Sequence, residues 1–431
     1  MKDSVNRELE NWKENYNNLD IDLDEIDHAI ESGFSKAKGR PSRWKPFFMS
    51  ALTAAAILLF SFVALVNFSS TFSEQVSKVS GLGELADLVS RDKGLQSAYE
   101  EGYAENIGVS ERQGNFELTI DDVVKDQFGM VIFYTLKSED PVSGLKLDEV
   151  ELTTQQGEEL PIGSSGMSFP GNSERKEYSS TIEYFFTEPI KSEKFVLNAN
   201  ISEHNQEFSI EFETKNNAKP VTYDINKTVS IEGQKIIVNS VTINPIRTSV
   251  EIQHVEGNNM KILNIDDFKL VDGKGEVWNG ITNGTTKSGP NDEGLVTYYL
   301  QSNYFEKPQE LYLEFSKAQA VPKGEGYMKF DVNNEKILFD PYNKFYDFEY
   351  DGHGSISLSM DKIDEYYSSP FTKFYDEDGN ELDNNSSSHM SDDQNKIDTF
   401  KYVVGKVDGI IKAELSSYPH WIEEDVRIRI K

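Results

Sequence analysis

Twenty-two consecutive residues, Phe47 to Phe68 (FFMSALTAAAILLFSFVALVNF), carry no charge, and the eleven before them (KAKGRPSRWKP) carry five positive charges and no negative one. Such a run selects its own surroundings. As a helix rising 1.5 Å per residue it spans roughly 33 Å, the hydrocarbon core of a bilayer, whereas a helix buried in a soluble core normally keeps a polar face. The sequence therefore predicts one transmembrane helix over 47–68. Lys36, Lys38, Arg40, Arg43 and Lys45 flank it on the N-terminal side, with Trp44 at headgroup depth. By the positive-inside rule residues 1–46 are cytoplasmic and the rest of the chain is extracytoplasmic. A cleaved signal peptide is the competing reading, but the far end, VNFSSTFSE, has no Ala-x-Ala-like site, which favours a retained anchor.

This topology leaves most of the 431 residues outside, enough for two or three domains. The charge is unevenly shared. Residues 1–46 hold 8 basic and 10 acidic side chains, leaving 35 basic and 64 acidic beyond them, a net of −29. A body so acidic repels nucleic acid and anionic headgroups, so direct nucleic-acid binding is not expected. The chain has no cysteine, which excludes a disulfide scaffold and every thiolate metal site and leaves apolar cores to hold the exterior together.

Within residues 1–35, Val5, Leu9, Trp12, Tyr16, Leu19, Leu23, Ile26 and Ile30 recur at alternating steps of four and three. That is one apolar stripe on a helix, interrupted near Asn17–Asp22, where Asp20 or Asp22 caps a second short helix. A 35-residue segment cannot bury such a stripe by itself. Its partner is either a second copy, forming a coiled coil, or a groove on another protein that accepts an amphipathic helix. The acidic flanks favour a basic partner.

Residues 69–112 read as a helical juxtamembrane collar cut by glycines, with Leu82, Leu85, Leu88 and Val89 on one apolar face and Leu95, Ala98 and Tyr99 on another. From Asn115 the period becomes two. Phe116–Ile120, Met130–Leu136 and Phe195–Leu197 are predicted strands. A second set comes 116 to 119 residues later: Gly114 answers to Gly233, Val131 to Val250, Phe133 to Ile252, Glu149–Leu152 with Gly157 to Asp267–Leu270 with Gly275, and Phe195–Leu197 to Leu311–Leu313. Matches in one order indicate a duplicated β module of about 100 residues. The expected fold is a mainly β ectodomain of tandem immunoglobulin-like antiparallel sandwiches, with N-terminal helices and one transmembrane helix. Its modules fall at 113–217, 218–320 and, as a divergent third, 321–431, where Asn384–Asn395 reads as unstructured.

No catalytic constellation stands out, and the chain does not read as an enzyme. His28, His204, His254, His353, His389 and His420 are far apart and read as surface residues. Gly352-His353-Gly354-Ser355-Ile356 begins like a nucleophile elbow but has isoleucine where the last glycine is needed. The acidic turn Asp376–Glu381 offers oxygen ligands to calcium, yet its spacing departs from an EF-hand loop and a plain β-turn is the favoured reading. Neither a cofactor nor a metal is expected.

The juxtamembrane segment (SGLGELADLVSRDKGLQSAYEEGYAENIG), the strand pair after it (FELTIDDVVKDQFGMVIFYTL) and the inner segment Leu23–Phe34 resemble membrane-anchored anti-sigma factors of Gram-positive bacteria. The resemblance covers about residues 20–160 and implies that the inner helices hold an extracytoplasmic-function sigma factor at the membrane until an outside signal triggers stepwise proteolysis. On that reading Leu9, Trp12, Tyr16, Leu19, Leu23, Ile26 and Ile30 form the sigma-binding surface, and Ala54, Ala55 and Ala56 mark a candidate intramembrane cleavage region for regulatory proteases. The pattern departs from the zinc-type domain of such proteins, since there is no cysteine and the inner segment has only His28. The alternative is a surface structural or ligand-binding protein whose N-terminal helix dimerises.

Overall fold

The computed structural model describes residues 92–167, 173–281, 286–291, 294–366, 368–384 and 386–431, all within the compact unit Leu65–Lys431. The expected inner helices, the apolar run 47–68 and residues 69–91 of the expected collar lie outside the described residues. Among the described residues, no helix is long and apolar enough to cross a membrane.

The described residues are mainly β, arranged in antiparallel sheets. One helix, α1 (Lys93–Glu100), precedes them. The first module comprises β1 (Glu105–Gln113), β2 (Phe116–Lys125), β3 (Gly129–Ser143), β4 (Glu149–Thr154), β5 (Ile162–Met167), β6 (Glu174–Phe186), β7 (Lys194–Ile201) and β8 (Gln206–Glu213). One sheet runs β1-β2-β3-β6-β5 and the other β4-β7-β8. Strand alternation makes the module: in β8 Phe208, Ile210 and Phe212 are buried while Glu207, Ser209 and Glu211 face out. These inward residues meet Leu118, Ile120, Ile132 and Tyr134 of the other sheet in one core.

The second module repeats the plan with β9 (Val221–Ile231), β10 (Gln234–Ile243), β11 (Arg247–His254), β12 (Met260–Ile265), β13 (Lys269–Asp272), β14 (Val277–Asn279), β15 (Lys287–Ser288), β16 (Leu295–Gln301) and β17 (Leu311–Pro322). Its first sheet, β9-β10-β11-β16-β15, reproduces the order of the first module's. The bulge is reproduced as well: pairing slips between Ile120 and Asp122 of β2 and between Val238 and Ser240 of β10. Opposite each slip stands a residue with positive φ, Gly108 at 62° and Asn226 at 47°. Both bulges seat a residue in the left-handed region, which glycine adopts freely and asparagine tolerates.

The third module holds β18 (Tyr327–Asp331), β19 (Lys336–Phe339), β20 (Phe345–Tyr350), β21 (Ser355–Asp361), β22 (Phe371–Tyr375), β23 (Glu381–Leu382), β24 (Ser386–Asp392), β25 (Ile397–Val403) and β26 (Ile410–Leu415). Its sheets, β19-β18-β26-β22-β23 and β20-β21-β25-β24, enclose a core rich in aromatic residues, among them Phe330, Phe345, Phe371, Phe374 and Phe400. The last strand, β27 (Trp421–Arg429), leaves that module and pairs with β17 of the second, from Tyr312↔Arg429 to Gln319↔Trp421. It occupies beside β17 the place that β8 occupies beside β7, so the third module is inserted into the second where the first has only a short turn, Ser202–His204.

Three expectations are corrected. Residues 69–112 are not helical throughout, because Glu105–Gln113 is the edge strand β1; its polar sequence hides the strand period, and its backbone pairs with β2. Asn384–Asn395 is not unstructured, because Ser386–Asp392 forms β24, exposed along its whole length and held by the backbone ladder to β25. A module running unbroken from 321 to 431 is not seen, since β27 returns to the second sandwich to bury Ile422, Val426 and Ile428 in its core.

Candidate functional site at the module junctions

Asp92 caps α1, accepting from the amides of Gly94 at 2.7 Å and Leu95 at 3.1 Å. Burial pushes its carboxyl up, and the two amides oppose the shift. Leu95 and Ala98 pack with Val124, Val131, Phe133 and Phe185 of the first module and with Ile246 of the second. Tyr99 meets Phe133 edge to face at 5.3 Å. On the other side Lys93 donates to the carbonyl of Val277 at 2.9 Å and pairs with Glu276, and Ser97 donates to Glu306. Gly94 lies so close to the second module that a Cβ there would stand 2.9 Å from Ser302 Cβ. The helix is thus seated across both modules, and the apolar face predicted from Leu95, Ala98 and Tyr99 is the face it buries.

Other contacts fix the same junction. Asp126, fully buried, accepts from Phe128 N at 2.8 Å and from Ile246 N at 3.0 Å across the boundary; burial raises its pKa against those bonds and against Arg247. Glu105 holds the linker after β8 by accepting from Thr214, from Lys215 N at 2.9 Å and from Asn216 N at 2.8 Å. Burial alone would raise the pKa of Glu105, but these donors outweigh it and the carboxyl is held low. Lys125 donates to Asn216 O at 2.9 Å, and Tyr103 Oη bridges Lys125 O and Ala218 N.

Beside this junction a cleft of about 510 Å³ opens between the two modules. Arg247 on its wall is sandwiched between Phe185, 3.9 Å from the ring centroid, and Tyr299, at 3.8 Å. A second cleft, of about 710 Å³, lies where the second and third modules meet and brings together His254, Lys261, Lys287 and Lys323. Its amines are already engaged: Lys287 donates to Leu263 O at 2.8 Å, Lys261 pairs with Glu414 at 3.3 Å and Lys323 donates to Glu256 O. His254 is not a freely exposed residue. Burial, then Lys287 and Lys261, press its pKa down, and Nδ1 is buried without a partner among the described residues. His420 also departs from the surface reading, its ring stacked on Tyr342 at 3.8 Å.

Asp376 spends its carboxylate on its own turn, accepting from Asn380 N at 2.8 Å and Asn380 Nδ2 at 2.9 Å. Among the described residues, no group of three or more His, Cys, Asp or Glu side chains could hold a metal ion. Leu9, Trp12, Tyr16, Leu19, Leu23, Ile26 and Ile30, and the stretch Ala54, Ala55 and Ala56, lie outside the described residues. Sequence reasoning passed over Arg247; the available signal was one arginine after Asn244-Pro245-Ile246, at the head of a strand whose apolar alternation begins at Val250 and Ile252.

Two family models match the chain: a domain of unknown function (DUF4179) over residues 43–138 and a family of unknown function (DUF5643) over residues 221–350. The first takes in the apolar run, α1 and β1 to most of β3; the second takes in the second module as far as β17 and the start of the third. No curated protein matches. Among solved structures, "The crystal structure of the conserved domain protein from Bacillus anthracis" is 17% identical, covering 55% of this chain and 84% of that one with a TM-score of 0.35. A marsupial T cell receptor is 9% identical, covering 73% and 99% with a TM-score of 0.14.

Proposed function

We propose that this chain is a single-pass membrane anti-sigma factor. Its cytoplasmic helices sequester an extracytoplasmic-function sigma factor, and its immunoglobulin-like outer modules sense an envelope signal. The observation that carries this reading is the order of features along the chain: an acidic amphipathic stripe, a basic flank and an uncharged run of 22 residues. The stripe from Leu9 to Ile30 covers the surface by which the sigma factor meets promoter or polymerase, and steric masking requires no catalysis. Regulatory proteases then release the sigma factor, with Ala54, Ala55 and Ala56 as the region where the membrane helix is cut. The seating of α1 across two modules supports the sensor half, because the segment entering the outer body makes contacts that depend on how those modules are arranged.

The test is co-purification of the tagged full-length chain from detergent-solubilised membranes of its host, followed by mass spectrometry. A stoichiometric sigma factor is expected, lost in the double variant Trp12→Glu, Ile26→Lys. A second copy of the chain as the sole partner contradicts the reading and favours the surface protein with a dimerising N-terminal helix.

A further inference from the structure

Arg247 is 7% exposed, yet among the described residues it makes no ion pair and no side-chain hydrogen bond, and its Nη1 is buried without a partner. Burial lowers its pKa to about 10, with Tyr299, Asp126 and Glu183 opposing, so it is charged at neutral pH. Asp126 is already committed to two backbone amides. Stacking on Phe185 and Tyr299 offsets part of the cost of burying the cation but leaves its N–H donors unused. A buried charge without a hydrogen-bonded partner is strongly unfavourable, and the guanidinium fork fits a carboxylate or phosphate. On a body of net charge −29 this unpaired cation beside a cleft is a feature to be explained, and the lysines of the larger cleft, all engaged, offer no equivalent.

The rest of the wall indicates what the anion is carried on. Ser164, Thr187, Thr242, Ser249, Ser288 and Thr297 line the cleft with Tyr299 as an aromatic face and the Glu251 carboxylate on the same wall; Ser288 bonds Tyr299 Oη at 3.0 Å and Thr187 donates to Pro161 O at 3.2 Å, which leaves their oxygens able to accept from a ligand. Hydroxyls around one ring suit a hydroxylated ligand better than an apolar one. Asn244, on the same wall, has a buried Oδ1 without a donor among the described residues. We propose that the cleft between the first and second modules binds an anionic sugar or polyol, its carboxylate or phosphate paired with Arg247 and its hydroxyls bonded to the Ser and Thr wall. Phe185, on which Arg247 stacks, also packs in the cluster that seats α1, so an occupant of the cleft bears on the contacts of that helix. The proposal deepens the sensor reading, but it is tested by binding alone, so its failure leaves sigma-factor capture untouched.

The experiment is isothermal titration of the full-length chain in detergent with glucuronate, glucose 6-phosphate, glucose and inorganic phosphate. Saturable binding is expected for one or both charged sugars, and which of them binds identifies the anion. Arg247→Met should weaken binding by at least about tenfold, as loss of a charge-assisted bidentate pair does. Thr297→Val, which leaves the stack intact, should weaken it by a smaller factor and keeps the test valid if Arg247→Met does not fold. Inorganic phosphate binding as tightly as the sugar phosphate overturns the polyol assignment. Absence of saturable binding by either charged sugar, or binding unchanged in both variants, overturns the site.

Discussion

The first and second sandwiches share a strand order, a bulge and a left-handed residue opposite it, yet they close in different ways. In the first, β7 turns through four residues into β8 and the sheet is finished locally. In the second, β17 runs on into the third module, and its neighbour β27 returns only at the end of the chain. The second sandwich thus carries a whole module at the position where the first has a hairpin turn, the kind of exposed site where insertions are tolerated. The consequence is energetic. The first module depends on contacts near in sequence, whereas the second cannot complete its core until the third has been made, and Leu263 and Val321 carry its strands into the third core. Closing contacts of such long range tie the stability of the two modules together and slow their formation.

The sharpest way to break this comparison is to end the chain at His420. That removes Ile422, Val426 and Ile428 from the second core and costs more than about 5 kcal/mol, comparable to the whole stability of a domain. Hydrogen exchange should then show protection lost in both the second and third modules but kept in β2, β3 and β6. Protection retained in β10, β11 and β16 would separate β27 from the core.

Matched core truncations come next. Leu197 and Leu313 are equivalent and fully buried, so Leu197→Ala and Leu313→Ala should each cost about 3 kcal/mol. Thermal unfolding combined with hydrogen exchange should confine the first loss to one module and spread the second to two. At the junction, Gly94→Val places side-chain atoms against Ser302 and should cost about 1–3 kcal/mol, read as proteolytic sensitivity around residues 92–104 with both sandwiches intact.

The smallest expected effect is a pH slope in the first module. Burial, reinforced by Asp92 and opposed by Arg247, raises Glu183 to about 7. Burial also raises Asp121 to about 6, with the bond from Thr135 opposing and Asp122 reinforcing. Carboxyls raised on folding contribute stability that is fully present below their unfolded pKa and lost as pH rises through the folded value. The melting temperature of the first module should therefore be higher at pH 5 than at pH 8, and Glu183→Gln should flatten the slope by about 1 kcal/mol. A slope unchanged in that variant would remove Glu183 from the explanation.

Much of the β architecture was legible because alternation is a local signal. Phe116–Ile120, Met130–Leu136 and Phe195–Leu197 show it, and the correspondence of Val131 and Phe133 with Val250 and Ile252 located equivalent strands. The edge strands β1 and β24 were not legible, since their polar side chains carry no period and only backbone pairing holds them. The return of β27 was hidden for another reason: a pairing partner a hundred residues away leaves no trace in local spacing. Arg247 was missed because its significance lies in what surrounds it, two stacked rings and, among the described residues, no side-chain hydrogen bond to an acceptor, which emerges only from tertiary structure.

The functional account is tested most directly by sequencing total RNA from host cells carrying either the wild-type chain or the Trp12→Glu, Ile26→Lys variant at matched abundance. The account predicts that one set of transcripts, sharing one promoter sequence, rises constitutively in the variant. Indistinguishable transcript profiles, with the variant stable and in the membrane, would contradict it.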